Sequence, residues 1–146
     1  MKVSAALFAL GLLSVSASSH AFKLINDEEA KLPAAAAGLT TRGITRGPGI
    51  RVVSPDQAAG AIKGAFNLKV AFEPHGGAKI DPASVKVTYL KATPVDLIDR
   101  VKPGLSEAGI DLAGAEVPPG EHRIQISLQD SEGRKSNAVI SITVAK

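Results

Sequence analysis

The chain has 146 residues, with 17 lysines and arginines, 14 aspartates and glutamates, and no cysteine. A formal net charge of +3 is too small to favour nucleic acid or an anionic membrane surface as a binding partner. The absence of cysteine excludes disulfides within this sequence, so burial of apolar surface must hold an exported domain together.

The first 21 residues have the organisation of an export signal. Lys2 supplies the basic start, residues 5–15 form an apolar core, and Ser19 and Ala21 occupy the two positions that a signal peptidase inspects. Because a membrane span needs about 20 apolar residues, this core is too short to serve as one. We therefore expect cleavage after Ala21 and a periplasmic or secreted protein without a membrane span; an uncleaved amphipathic anchor is the alternative.

Residues 22–49 differ in character from the rest of the chain. Asn26 can cap a short helix that opens with acidic residues, and Pro33 would interrupt that helix. The sequence Thr-Arg-Gly then occurs twice, and its Arg42 and Arg46 could contact phosphates, acidic glycans or a protein partner. These features predict an N-terminal extension or linker that is irregular or briefly helical; a flexible polar spacer without a binding role is the alternative.

After this extension the sequence alternates apolar and polar residues with the period of two that is typical of half-buried strands. Residues 50–54 predict a short strand, residues 66–72 the clearest strand of the chain, and residues 85–89 a strand that follows an Asp-Pro turn. Phe66 and Phe72 fall on the apolar side, and burial of either should contribute about 1.5–3 kcal/mol. The loop between the strands at residues 66–72 and 85–89 is too long for a tight hairpin. We therefore expect these two strands to be neighbours across a sandwich.

Residues 95–105 allow two interpretations. Val95, Ile98 and Val101 recur at helical spacing, which favours a helical turn, whereas a bent strand is the alternative. Residues 110–113 then return to strand-like alternation before a Pro-Pro-Gly turn.

The last part of the chain, residues 115–144, predicts a β-hairpin. Apolar and polar residues alternate over residues 124–128 and again over residues 138–144. Residues 130–133, Asp-Ser-Glu-Gly, supply the chemistry of the connecting turn, with Gly133 at a position that favours positive φ.

Two stretches carry a family resemblance. The run EVPPGEHRIQISLQDSEGRKSNAVISITV resembles the last two strands of bacterial immunoglobulin-like and fibronectin type III-like domains, and IDPASVKVTYL is similar to the strand that follows an Asp-Pro turn in them. The resemblance covers residues 50–146 and implies an all-β fold, an immunoglobulin-like Greek-key β-sandwich of six to seven strands. It carries over no catalytic residues, because such domains serve as spacers, adhesin segments, enzyme accessory modules and chaperones.

Residues with catalytic or metal-binding chemistry are sparse. Apart from the signal, the sequence contains only His75 and His122, and neither belongs to a metal-ligand motif. We expect His122 to tip a strand, His75 to lie in an exposed loop, and the turn aspartates to bond their own backbone. We therefore expect no enzyme activity, cofactor, metal or small-molecule ligand; a hydrolase that uses His75 and Asp81 is the least favoured alternative.

These observations predict a non-enzymatic module that binds a protein partner in a bacterial cell envelope. The strand at residues 50–54 is the expected sheet edge, where a partner could add a strand. The predicted partner-binding residues are Arg42, Arg46, Ile50, Val52 and His75. The alternative is a self-assembling structural envelope protein whose N-terminal segment pairs with a neighbouring copy.

Overall fold

The structure, a computed structural model, describes residues 22–36, 46–56 and 60–146. The described part is predominantly β, with 50% of its residues in strands and 12% in helices, and the strands form two sheets. This confirms the predicted β class. The predicted signal, residues 1–21, and Arg42 lie outside the described residues.

Besides two 3₁₀ helices of three residues, Pro82–Ser84 and Lys102–Gly104, the described elements are short and long strands and two single-turn α-helices. In order they are β1 (Phe22–Lys23), α1 (Asp27–Ala30), β2 (Gly49–Ser54), β3 (Phe66–Glu73), β4 (Lys86–Tyr89), β5 (Val95–Asp96), α2 (Ile98–Val101), β6 (Leu105–Ser106), β7 (Gly109–Glu116), β8 (Gly120–Gln129) and β9 (Lys135–Val144).

The first sheet has the order β1-β7-β3-β2, and β6 also pairs with β7. All its pairs are antiparallel except β1 with β7, which is parallel. The second sheet has the order β5-β4-β8-β9 and is antiparallel throughout. Strands β3 and β4 therefore lie in different sheets, as the length of the loop between them predicted.

Residues from both sheets form one hydrophobic core. Alternate residues of each strand point inward, as the period of two requires: Val70 on β3 and Ile126 on β8 are each 1% exposed. Phe66 and Phe72 are buried in this core, which confirms their predicted placement. The hairpin of β8 and β9 is also confirmed, with an unbroken register from Gly120 opposite Val144 to Gln129 opposite Lys135.

The N-terminal segment differs from the predicted extension, because part of it belongs to the core. Leu24 is completely buried and Ile25 is 1% exposed, and the N–H of Leu24 donates to the carbonyl of Glu116 at 2.9 Å. Further along, Ala34 forms an isolated bridge with Lys91. Leu24 and Ile25 thus pack in the same core as the residues of the two sheets. Strand β1 itself has only two residues, Phe22 and Lys23, too short a run to be predicted from alternation.

Several local predictions are confirmed. Asn26 caps α1 by accepting from the N–H of Glu29 at 2.7 Å, and the Glu29 side chain accepts from the N–H of Asn26 at 3.0 Å. Residues 95–105 contain the favoured helical turn, α2, and the two-residue strand β5 precedes it. Gly133 lies at φ +80° in the hairpin turn, where a side chain would be strained.

Candidate functional site

The outer edge of β2 presents backbone hydrogen-bonding groups at Ile50 and Val52. The N–H of Phe72 on β3 donates to the carbonyl of Ala108 at 3.0 Å, so the backbone of Phe72 points towards β7 and away from β2. Ile50 lies opposite Phe72 in a pair without hydrogen bonds, and its N–H and C=O therefore point outward. Val52, two residues on, has the same orientation. Both side chains pack partly buried against the core, which holds this edge in place.

The open part of the β2 edge is short. The strand has six residues, Pro48 precedes it and Pro55 follows it. A β-bulge at Val53 shifts the register between Val52 and Ser54. Prolines and bulges are devices that limit pairing of an edge with a further strand, so a partner could use only the region around Ile50 and Val52.

The outer edge of β9 is longer and regular. The N–H of Asp130 donates to the carbonyl of Arg134 at 3.0 Å, directly beside the first pair of the hairpin. Even-numbered residues of β9 therefore bond to β8, and the backbone groups of odd-numbered residues point outward, since the two sides alternate. The outward residues in the middle of the strand are Asn137, Val139 and Ser141.

Segments next to β2 cover both ends of the β9 edge. Ile62 pairs with the far end, donating to the carbonyl of Thr143 and accepting from the N–H of Ala145, both at 2.8 Å. At the near end, Gly47 packs so closely on Lys135 and Ser136 that a Cβ at residue 47 would overlap both. Within residues 22–36, 46–56 and 60–146, the edge of β9 is therefore open only in its middle.

The two open edges lie on the same side of the molecule. Strands β2 and β9 run alongside each other. Val53 on β2 and Val139 on β9 are 47% and 36% exposed, and they are the exposed large hydrophobic residues of the part of the chain that the structure describes. Exposed apolar side chains and outward backbone groups thus occur together here, a combination that favours strand addition.

Two further predicted partner-binding residues, Arg46 and His75, lie at one end of this side. Because Gly49 pairs with Glu73, Arg46 and His75 both come just beyond the end of the β2–β3 ladder, and both are exposed. The carbonyl of His75 accepts from Nη2 of Arg134 at 2.9 Å, which ties its loop to the hairpin turn. The structure therefore brings Arg46, Ile50, Val52 and His75 to one side.

A pair of cations lies at the near end of the β9 edge. Arg46 is next to Gly47, which packs on Lys135, and both basic side chains are exposed. Neither forms an ion pair with any residue that the structure describes. The Thr-Arg-Gly repeat pointed to Arg46, whereas no local pattern marked Lys135, because the packing of Gly47 on Lys135 is a long-range contact.

The opposite side of the molecule is closed by a partly buried ion pair. Arg100 on α2 donates to both carboxylate oxygens of Glu29 on α1, at 2.7 and 2.6 Å, and to the carbonyl of Leu24 at 2.8 Å. The hydrogen bond from Arg100 holds the pKa of Glu29 below its usual value, and the same bond raises the pKa of Arg100. This contact fastens the N-terminal segment to the sandwich.

A buried polar pair lies near this ion pair. The structure places His122 inside β8 at 3% exposure, whereas it was expected at a strand tip. Its Nε2 lies 2.6 Å from the carbonyl of Pro118 and its Nδ1 lies 2.8 Å from the hydroxyl of Tyr89. A carbonyl can only accept, so Nε2 donates and Nδ1 accepts from Tyr89. Burial, and then the charge of Glu29, raise the pKa of Tyr89.

Two turn aspartates, Asp81 and Asp130, accept hydrogen bonds from the backbone of their own turns, as predicted. Asp81 accepts from the N–H of Ala83 at 3.0 Å, and Asp130 accepts from the N–H groups of Glu132 and Arg134 at 3.0 and 2.9 Å. No group of three or more histidine, aspartate or glutamate residues suited to a metal ion occurs in the described ranges. Nor does any helix described there have the length and apolar character needed to cross a membrane.

No protein-family model, curated protein or solved structure matches this chain.

Proposed function

We propose that this chain is an exported bacterial immunoglobulin-like module, without catalytic activity, that binds a protein partner of the cell envelope by accepting an extended strand. The observation that carries the proposal is the edge of β2, where Ile50 and Val52 direct N–H and C=O groups outward, without a partner among the described residues, while their side chains anchor the strand. Main-chain hydrogen bonds of this kind supply affinity in strand addition.

The order of the strands supports the immunoglobulin-like part of the proposal. The first sheet combines β2, β3 and β7, and the second combines β4, β8 and β9. The chain thus passes from the first sheet to the second, back, and again to the second, which is how Greek-key immunoglobulin-like sandwiches are connected. The basic, apolar and small-residue pattern of residues 1–21 supports export to the periplasm or the medium.

A pair of substitutions tests the binding mode. In Ile50→Pro/Val52→Pro, the two outward N–H groups are lost, but no hydrogen bond to β3 is removed. Residues 22–146 carrying this change should lose capture of a specific envelope protein from an extract, while circular dichroism shows a retained fold. Unchanged capture by the folded variant would contradict strand addition at β2.

The matched control is Ile50→Ala/Val52→Ala, which shortens the same side chains but keeps both N–H groups. It should capture the partner if it folds. If the only protein retained is the chain itself, and sedimentation confirms self-association, the module is a self-assembling envelope protein instead.

A further inference from the structure

We propose a second docking position on this side of the molecule, the middle of the β9 edge, and we infer that it accepts an acidic extended segment of a partner protein. This inference rests on the proposed function, a module that binds protein by strand addition, and assigns it a different edge and a partner chemistry. The carrying observations are the outward backbone of β9, the segments that cover its two ends, and two exposed cations, Arg46 and Lys135, at one of these ends.

The backbone of β9 is prepared for an added strand over a defined length. Asn137, Val139 and Ser141 direct their N–H and C=O groups outward, and no hydrogen bond of the described residues from outside the hairpin reaches them. Unlike β2, β9 pairs with β8 over ten residues without a bulge. The open stretch of β9 spans about 13 Å at about 3.3 Å per residue, so it fits a short segment.

The two covers exclude a long strand as the occupant. Ile62 already uses the groups of Thr143 and Ala145, and Gly47 occupies the space beside Lys135 and Ser136. A second copy's β9, which is ten residues long, would meet both covers. A loop or terminal segment of a different protein, extended over about five residues, is the occupant that fits.

The charged and apolar residues around the open stretch of β9 indicate which side chains the partner segment carries. Arg46 and Lys135 flank its near end, and neither has an ion-pair partner among residues 22–36, 46–56 and 60–146. Val139 lies on the same face of β9 as Lys135 and is 36% exposed. Opposite charges and apolar pairs across neighbouring strands are stabilising, so the segment carries an acidic residue near Lys135 and an apolar residue near Val139.

A pair of synthetic peptides tests this inference. The probe is an eight-residue peptide in which a glutamate and a valine two positions apart are flanked by serine and threonine. With the valine opposite Val139, the glutamate lies opposite Asn137 and diagonal to Lys135; in the counterpart peptide lysine replaces the glutamate. Binding to residues 22–146 is followed by NMR. We expect the glutamate peptide to shift and protect the amides of Asn137, Val139 and Ser141, and to bind about fivefold more tightly than the lysine peptide.

Charge reversal provides the decisive readout. Lys135→Glu should abolish the preference for the glutamate peptide, because its carboxylate opposes the remaining charge of Arg46. Lys86→Glu, the same change on the same face but two strands from the edge, should leave the preference in place. Val139→Pro removes one outward N–H without a bond to β8 and should abolish binding of the glutamate peptide; the charge reversal tests the same point if this variant does not fold.

Three results would overturn the inference: amide shifts confined to Ile50 and Val52, equal binding of both peptides, or the same response to Lys86→Glu as to Lys135→Glu. The first result leaves the proposed function in place, because it assigns strand addition to β2 alone. Loss of the proposed function itself requires the separate finding that folded Ile50→Pro/Val52→Pro and Val139→Pro variants both still capture the envelope partner.

Discussion

The two sides of the molecule finish their strand edges in opposite ways. On one side, β1 extends the first sheet, Leu24 and Ile25 enter the core, and Arg100 fastens Glu29 with two hydrogen bonds. On the other side, the edges of β2 and β9 keep outward backbone groups and two exposed valines. A strand added on the closed side would have to displace buried residues, whereas one added on the open side would not.

The largest expected effect on stability comes from removing a buried side chain on the closed side. Leu24→Ala should lower the free energy of unfolding by about 3 kcal/mol, because a fully buried leucine is replaced by a smaller side chain and a cavity. Val53→Ala and Val139→Ala should each change it by less than about 0.5 kcal/mol, since these side chains are exposed. Urea unfolding of residues 22–146 measures all three. Similar losses for Leu24 and Val139 would contradict the assignment of a closed and an open side.

How far this contrast could be predicted from the sequence depends on the range of the interactions. The strands of the open side were predicted because alternation over residues 50–54 and 138–144 is a local signal of strand and inward face. The edge position of β2 was also predicted, with Ile50 and Val52 as its open residues. Which backbone groups point outward was not predictable, because it depends on the register against β3 and β8.

The closed side could be predicted only in its local parts. The cap at Asn26 depends on residues three positions apart and was visible in the sequence. The burial of Leu24 depends on pairing with Glu116, and the role of Arg100 depends on contact with Glu29, both far away along the chain. His122 shows the same limit, because its burial follows from contact with Tyr89 across the second sheet.

The next largest effect concerns the ion pair of the closed side. Glu29→Gln should lower the free energy of unfolding by about 1–3 kcal/mol, because Arg100 loses a charged partner in a partly buried position. The matched control is Glu28→Gln on the same helix, whose exposed pair with Lys31 should contribute at most about 0.5 kcal/mol. Thermal or urea unfolding distinguishes them. Equal effects would show that the Glu29 contact does not fasten the segment.

Acid should weaken the closed side through the same carboxylate. Arg100 lowers the folded-state pKa of Glu29 below its ordinary 4.5, so the contribution to stability is full above that value and is lost as the pH falls through the folded pKa. Burial alone would raise the pKa of Asp130, but hydrogen bonds from Arg134 and Glu132 outweigh it and lower the value below 3.8. Stability should therefore fall below about pH 4.5, and less steeply in Glu29→Gln and in Asp130→Asn. Acid unfolding curves test this; a slope unchanged in both variants would contradict it.

The smallest expected effect on stability concerns Ser136, where Gly47 packs on the end of β9. The hydroxyl of Ser136 is buried beneath Gly47 and has no hydrogen-bond partner among the described residues. Ser136→Ala should therefore raise the free energy of unfolding by up to about 1 kcal/mol, since an unpaired buried polar group is removed. Ser141→Ala, on the same strand but exposed, should change it by less than about 0.5 kcal/mol. A loss of stability in Ser136→Ala would mean that a hydrogen bond holds the cover; a gain would mean that packing of Gly47 holds it, and Gly47→Ala should then be destabilising because its Cβ would overlap β9.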